Sequence, residues 1–256
     1  MLDAKQILIY LSIKCGGDWN EIYKCIKTHA KFDKELILNT VKKLKCGAIT
    51  ILDDDYPENL KRIPYPPIVL FYYGDISLIK DYKSILAVVG SRDPLQEIID
   101  PTTYIISRLS ERYTIVSGLA NGIDTIAHQS ALKQGGKTIA VLGNGIDYVY
   151  PKENIDLYNE IKEKGLIISE YPGNTVPEKS FFPFRNRIIA ALAKGMFIPN
   201  INYLSGTYSS LRYALQFGSE IFVLPHPPLS KTANNKLIFE GATIASDEDD
   251  IFVVMG

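Results

Sequence analysis

The sequence predicts an α/β protein: a mostly parallel, doubly wound sheet preceded by a small all-helical domain. Three observations predict it. Six short apolar runs after residue 80 are continuous rather than alternating, as in strands buried on both faces. Helix-like segments separate these runs, and strand–helix alternation builds a parallel sheet through right-handed crossovers. Residues 1 to about 50 instead carry helical spacing.

The helical start is Lys-rich. Ala4, Leu8 and Leu11 share one helical face, as do Ile22, Cys25 and Ile26. "KCGGDWN" separates these two helices, with Asp18 or Asn20 as candidate cap of the second. Four prolines between Leu52 and Asp75 exclude a long regular helix, and "PIVLFYYG" is an extended segment. These features divide the chain into a helical domain at 1–55, an extended linker at 56–80 and a sheet domain at 81–256.

The expected strands of the sheet domain are "ILAVVG" from Ile85, "YTIVSG" from Tyr113, "KTIAVLG" from Lys137, "GLIISE" from Gly165, "GMFIP" from Gly195 and "EIFVLP" from Glu220. A helix is predicted over Gly122 to Gln134, where Ile123, Ile126, Ala127, Ser130 and Ala131 share a face. In such sheets ligands sit at the carboxyl ends of the strands, near a switch in strand order.

Composition narrows the function classes. The 256 residues carry a net charge of −1, so any nucleic-acid surface is local rather than global. Three cysteines, with no CxxC pair, argue against a disulfide scaffold or zinc cluster and fit a reducing compartment. The apolar run from Ile7 to Ile13 is short for a signal segment. No run approaches the roughly 18 apolar residues of a membrane helix. A cytoplasmic protein is expected.

Four strand ends carry unusual loops: Gly90, Ser91 and Arg92; Ser117, Gly118, Asn121 and Gly122; Gly143 with Asn144 and Gly145; and Ser205, Gly206 and Thr207. Glycine admits close approach to the backbone, and free N–H groups at a helix N-terminus attract anions. One such turn is explained by chain sterics alone. Four on one sheet edge, one with an arginine, predict an anion site.

A second signal is "EKSFFPFRNRIIAALAKG". From Lys179 to Lys194 it holds four basic residues and no acid. Basic groups bind phosphates, and an exposed aromatic face stacks on bases without reading sequence. The alternative is that Phe181, Phe182 and Phe184 are core and the arginines a solvated face.

No catalytic or metal constellation emerges. Ser117 lacks a GxSxG elbow. Asp124 and His128 lie four apart and are expected to pair locally. Asp147 and Glu170 have no DxD or HxxE partner, so no metal site and no cofactor are expected. The cysteines, His226 and Trp19 are expected to be structural.

Three stretches, "GSR", "IVSGLANGIDTIAHQSALKQGGKTIAVLGNGIDYVYPKEN" and "ISEYPGNTVPEKSFFPFRNRIIA", resemble the DNA-processing protein A family, also called Smf. The resemblance covers roughly residues 55 to 250. The helical start is similar to the small SAM-like domain that many members carry. The resemblance implies an extended Rossmann-like fold that binds single-stranded DNA without catalysis, acts as a homodimer, and loads the RecA recombinase past single-strand-binding protein during natural transformation. By that match Arg92, Ser117 and Gly118 would hold a phosphate, Lys179 would add charge, Phe182 would stack on or wedge against a base, and Arg185, Asn186 and Arg187 would line the groove.

The chain departs from the family pattern twice. Asn121 stands where members usually carry Arg, and Pro199 and Asn200 replace an acidic strand end. The C-terminal winged-helix domain of some members is expected to be absent. The main alternative is a related phosphoribohydrolase acting on nucleotides, but Ser210 stands where its Glu would be. A nucleotide sensor and a nuclease are further alternatives.

Overall fold

The computed structural model describes residues 3–256. Helices α1 (Ala4–Lys14), α2 (Trp19–Lys27) and α3 (Lys34–Lys42) come first. Each opens on an aspartate, Asp3, Asp18 and Asp33, whose carboxylate accepts a backbone N–H of the first turn. This satisfies donors that a helix start leaves unpaired. Asp18, rather than Asn20, is therefore the cap of α2.

Strand β1 (Gly47–Thr50), the short helix α4 (Glu58–Lys61) and β2 (Val69–Gly74) follow. Then helices alternate with strands: β3 (Ile85–Val88), α5 (Gln96–Leu109), β4 (Thr114–Ser117), α6 (Ile123–Lys133), β5 (Thr138–Val141), α7 (Ile155–Lys164) and β6 (Leu166–Ser169). The chain continues with α8 (Phe181–Leu192), β7 (Gly195–Ile198), α9 (Thr207–Gln216), β8 (Glu220–Val223), α10 (Asn234–Phe239), β9 (Thr243–Ile244) and α11 (Glu248–Met255). Among the described residues no helix is long and apolar enough to cross a membrane.

All nine strands form one sheet, ordered β1-β2-β6-β5-β4-β3-β7-β8-β9. From β6 to β9 every pairing is parallel. The fold is thus a Rossmann-like α/β sheet with helices on both faces. Strand β3 shows why its sequence is continuously apolar. Ile85 and Ala87 join one core cluster, while Leu86 and Val88 join the cluster on the opposite face. The chain winds outward from β3 to β6, then returns to lay β7 against the other side of β3. The strand order therefore switches between β3 and β7.

The sheet reaches across the expected domain boundaries. β1 lies inside the 1–55 segment and β2 inside the expected linker, yet β2 pairs antiparallel with both β1 and β6. All four prolines precede β2, so its ladder loses no donor. The carbonyls beside them are used: Trp19 Nε1 donates to Pro66 O at 2.8 Å and the Tyr56 hydroxyl to Pro67 O at 2.6 Å. The helical start also shares its core with the sheet. Leu8, Leu11, Ile22 and Ile37 pack in the same cluster as Phe71, Leu142 and Ile161.

Candidate nucleic-acid interface

The carboxyl ends of β3 and β7, where the strand order switches, open into a cleft of about 640 Å³. It is closed on one side by the start of α8 and on the other by the start of α9. Ten predicted residues line it: Gly90, Ser91, Arg92, Lys179, Phe182, Arg185, Asn186, Ser205, Gly206 and Thr207. A smaller compartment of about 50 Å³ lies beside it and takes in Gly118 and Asn121.

Local hydrogen bonds fix these loops. Ser91 Oγ accepts from Asp93 N at 3.1 Å and from Asn202 Nδ2 at 3.0 Å. Thr207 Oγ1 donates to Gly90 O at 3.0 Å, tying the first turn of α9 to the end of β3. Asn186 Nδ2 donates to Ser209 Oγ at 2.7 Å, linking α8 to α9.

Arg92 and Lys179 are exposed. Arg92 holds its guanidinium 5.7 Å from the centroid of the half-buried Phe182 ring, a cation–π distance. Tyr150 packs on the same ring at 5.6 Å. Two cations and an accessible aromatic face therefore converge at the cleft mouth.

Arg185 sits deeper. Only 5 % exposed, it donates from Nη1 to the carbonyls of Gly118 and Val141 and from Nε to Asn186 Oδ1. It braces the ends of β4 and β5 while lining both compartments. Burial, with the Arg92 charge nearby, pushes its pKa down to about 10, against the opposing pull of Asp124. Burial likewise pushes the Asp124 carboxyl up, partly offset by Arg185.

Four predicted residues line neither compartment. Ser117 is fully buried and donates to Val88 O at 2.7 Å. Arg187 is 1 % exposed and does not line the groove. Its guanidinium forms a two-armed pair with Glu170 (2.7 and 2.6 Å) and donates twice to Tyr65 O. On a helix, residues 185 and 187 are turned about 200° apart, so one faces the cleft and the other the β2 side. Gly122 and Gly143 pack against protein rather than against open space.

Several of the loop glycines face protein rather than open space. A side chain at Gly118 would stand 2.5 Å from Arg185 Nη2 and 2.7 Å from Asp124 Oδ2. One at Gly122, whose φ is +76°, would strike the Ser91 and Arg92 backbone. At Gly90 and Gly143 the obstacles are Ile123 and Phe182. These glycines admit the protein's own atoms. Gly206, with nothing within 4 Å, is the loop glycine that leaves space open to a ligand.

The expected Asp124–His128 pair does not form. Asp124 turns back to accept Ala120 N at 3.3 Å, serving the turn before α6. Thr138 Oγ1 donates to Ile115 O at 2.8 Å, so it accepts from His128 Nδ1 at 2.7 Å. Nδ1 therefore carries the proton, and Nε2 is buried without a partner. His226 is structural: its Nε2 donates to Pro199 O at 2.9 Å. Asn234 Nδ2 reaches the same carbonyl at 2.9 Å, so both brace the divergent loop after β7. Asn200 is fully buried there, and its carbonyl accepts from Ser91 N at 2.8 Å. No group of three or more potential metal ligands occurs among the described residues.

Tyr150 is the wall residue that sequence reasoning missed. Its signal was the aromatic pair in "YVYP", directly downstream of the third glycine loop. A cavity of about 680 Å³ also opens at the opposite, amino edge of the strands. There Asp54, Asp55 and Glu58 are matched by Arg62, Lys80 and Lys194, with Lys80 held by Asp55 at 2.9 Å, so the lining carries no excess of positive charge.

The site is thus a cationic, aromatic-walled cleft at the switch point of a Rossmann-like sheet, the place where such sheets seat their ligands. Comparison with known proteins gives the family: residues 47–256 match the model of DNA recombination-mediator protein A, and the chain belongs to that family. It is similar to the DNA processing protein DprA of Streptococcus pneumoniae, 40 % identical over 81 % of this chain and 73 % of the relative. It is likewise similar to protein Smf of Synechocystis, 40 % identical, of which it spans about half (52 %). The solved S. pneumoniae DNA processing protein A superposes with a TM-score of 0.78 at 33 % identity, covering 98 % of this chain and 93 % of that one. The Helicobacter pylori protein, described for its single-stranded DNA binding mode, gives 0.75 at 29 % identity over 83 % and 96 %.

Proposed function

We propose that this protein binds single-stranded DNA in the carboxyl-edge cleft without reading its sequence. The observation that carries this is the convergence of exposed Arg92 and Lys179 on the accessible Phe182 ring. Phosphate contacts and stacking carry no base code. A duplex keeps its base faces stacked, so an aromatic platform favours single strands. Similarity to the H. pylori protein supports the same reading.

The finer role follows the family resemblance. The protein acts in the cytoplasm as a homodimer, protects single strands and loads a RecA recombinase onto them past single-strand-binding protein. It needs no catalytic step. The phosphoribohydrolase reading gains nothing, since buried Ser210 stands in the cleft where a carboxylate would be needed.

Filter binding with labelled thymidine oligomers tests the cleft. The double substitution of Arg92 and Lys179 by Ala should abolish most retention while the protein stays folded. Unchanged retention would refute the cleft as the binding surface. Filament assembly on protein-coated single strands then tests loading.

A further inference from the structure

Tyr65 is an exposed tyrosine in a strained backbone conformation. Its φ is +55°, the left-handed region, where a bulky side chain is an outlier. Arg187 holds it there. Nε and Nη2 donate to Tyr65 O at 3.0 and 2.8 Å, and the pair with Glu170 anchors the same guanidinium. Such strain persists only where the surroundings over-determine it, and it gathers at functional positions. Burial does not explain it here, since Tyr65 is 51 % exposed. The ring stands at the surface, edge-on to Trp19 at 5.0 Å and to Phe184 at 6.0 Å. Trp19 in turn stacks on Tyr23 at 5.0 Å with 15° between the planes, and Tyr23 is 49 % exposed. Trp19 Nε1 donates to Pro66 O at 2.8 Å, which locks the middle of the row. Four rings therefore run in contact from Phe184 on α8, through Tyr65, to Trp19 and Tyr23 on α2.

The row begins where the cleft ends. Phe182 and Phe184 share the first turn of α8 and are turned about 200° apart around it. The start of α8 is thus a ridge, with the cleft on one side and the aromatic row on the other, and Lys179 and Pro183 are exposed along it. Charge favours the same direction. Residues 3–45 carry nine lysines against five acids, in a chain whose net charge is −1. Lys24 lies beside Tyr23 on α2 and Lys27 follows one helical turn later, both exposed. Of the acids there, Asp18 caps α2 and Glu21 lies 3.5 Å from Lys24. Exposed rings beside lysines are the surface on which single-stranded nucleic acid stacks its bases and neutralises its backbone.

Building on the single-strand reading of the cleft, we propose that Tyr65 and Tyr23 form a second base-stacking platform outside it. The strand leaves the cleft over the first turn of α8 and continues onto the helical start of the chain. Arg187 sets this platform by clamping the Tyr65 backbone. Short oligomers fill the cleft alone, and longer ones gain the platform as well.

The test is a length series of labelled thymidine oligomers, read by anisotropy and by the emission of Trp19, the chain's single tryptophan. The shortest oligomers that bind should leave Trp19 emission unchanged. Beyond a threshold length, emission should change and affinity should step up by at least about fivefold, the low end for one stacked base. Tyr65→Ala should remove the step while short oligomers still bind, which shows that the cleft is intact. Tyr65→Phe should keep the step. Tyr23 touches only Trp19 among the aromatic rings, so Tyr23→Ala tests the platform with little risk to the fold and should shrink the step. A series without a step, a step that leaves Trp19 emission flat, or a step that survives both alanine variants would overturn the inference and leave the cleft reading standing. Failure of the wild-type protein to bind any oligomer would overturn the single-strand reading, and this inference with it.

Discussion

Arg187 and Glu170 form a two-armed ion pair, with Nη1 2.7 Å from Oε2 and Nη2 2.6 Å from Oε1, and both residues are buried. The same guanidinium lies over the Phe184 ring at 3.7 Å and holds the Tyr65 carbonyl. One side chain thus ties α8, the end of β6 and the segment leading into β2. It positions the helix whose first turn forms the cleft, without touching the cleft.

Breaking this pair leaves a buried charge without its partner. Arg187→Ala should destabilise the fold by about 3–5 kcal/mol. Chemical denaturation would measure it, and a loss below about 1 kcal/mol would mean that water reaches Glu170.

Arg92→Ala should behave in the opposite way. The side chain is exposed and cation–π packing on Phe182 is its main contact, so stability should change little. Single-strand affinity should fall by more than about 1 kcal/mol, the scale of a lost charged hydrogen bond. The salt dependence of binding should also flatten by about one phosphate contact. Unchanged affinity in the folded variant would remove Arg92 from the site.

Phe182→Ala separates stacking from packing. The ring rests against Gly143 and Tyr150, so some stability will be lost with it. Loss of a stacked base should cost about 1–3 kcal/mol of binding. Comparing titrations with melts distinguishes the two, and a variant that melts early yet binds DNA normally would make Phe182 a core residue only.

His128 gives a pH test with a defined sign. Burial, reinforced by the Arg185 charge, pushes its pKa down from 6.5 to about 3. Above about pH 6.5 the ring is neutral folded or unfolded and adds no pH dependence. As pH falls from about 6.5 toward about 3, the unfolded chain takes up a proton that the folded chain refuses, so stability declines. His226, also pushed down by burial, adds to this window, while Asp124, pushed up by burial, acts in the opposite sense. His128→Gln should flatten the decline in urea melts across that range. An identical slope would show that His128 does not control it.

Much of this was legible in the sequence. The six apolar runs after residue 80 became β3 to β8, because continuous burial on both faces writes itself into every position. Arg92, Lys179 and Phe182 were legible as a basic and aromatic set beside glycine loops. What stayed hidden depends on neighbours distant in sequence. β2 was legible as an extended segment, but its place in the sheet rests on pairing with β1 and β6. Arg185 and Arg187 look alike in "FRNR", yet one faces the cleft and the other meets Glu170, seventeen residues away. The glycines pointed to this edge for an incomplete reason, since Gly118, Gly122 and Gly143 make room for Arg185, the Arg92 loop and Phe182.

The most direct test of the central claim is fluorescence anisotropy of a labelled thymidine oligomer and its duplex form, each at two salt concentrations. Tight binding of the single strand, weaker binding of the duplex and a marked loss with salt are predicted, because phosphate neutralisation releases counterions. Equal affinity for both forms, or no single-strand binding at low salt by the folded protein, would contradict the account.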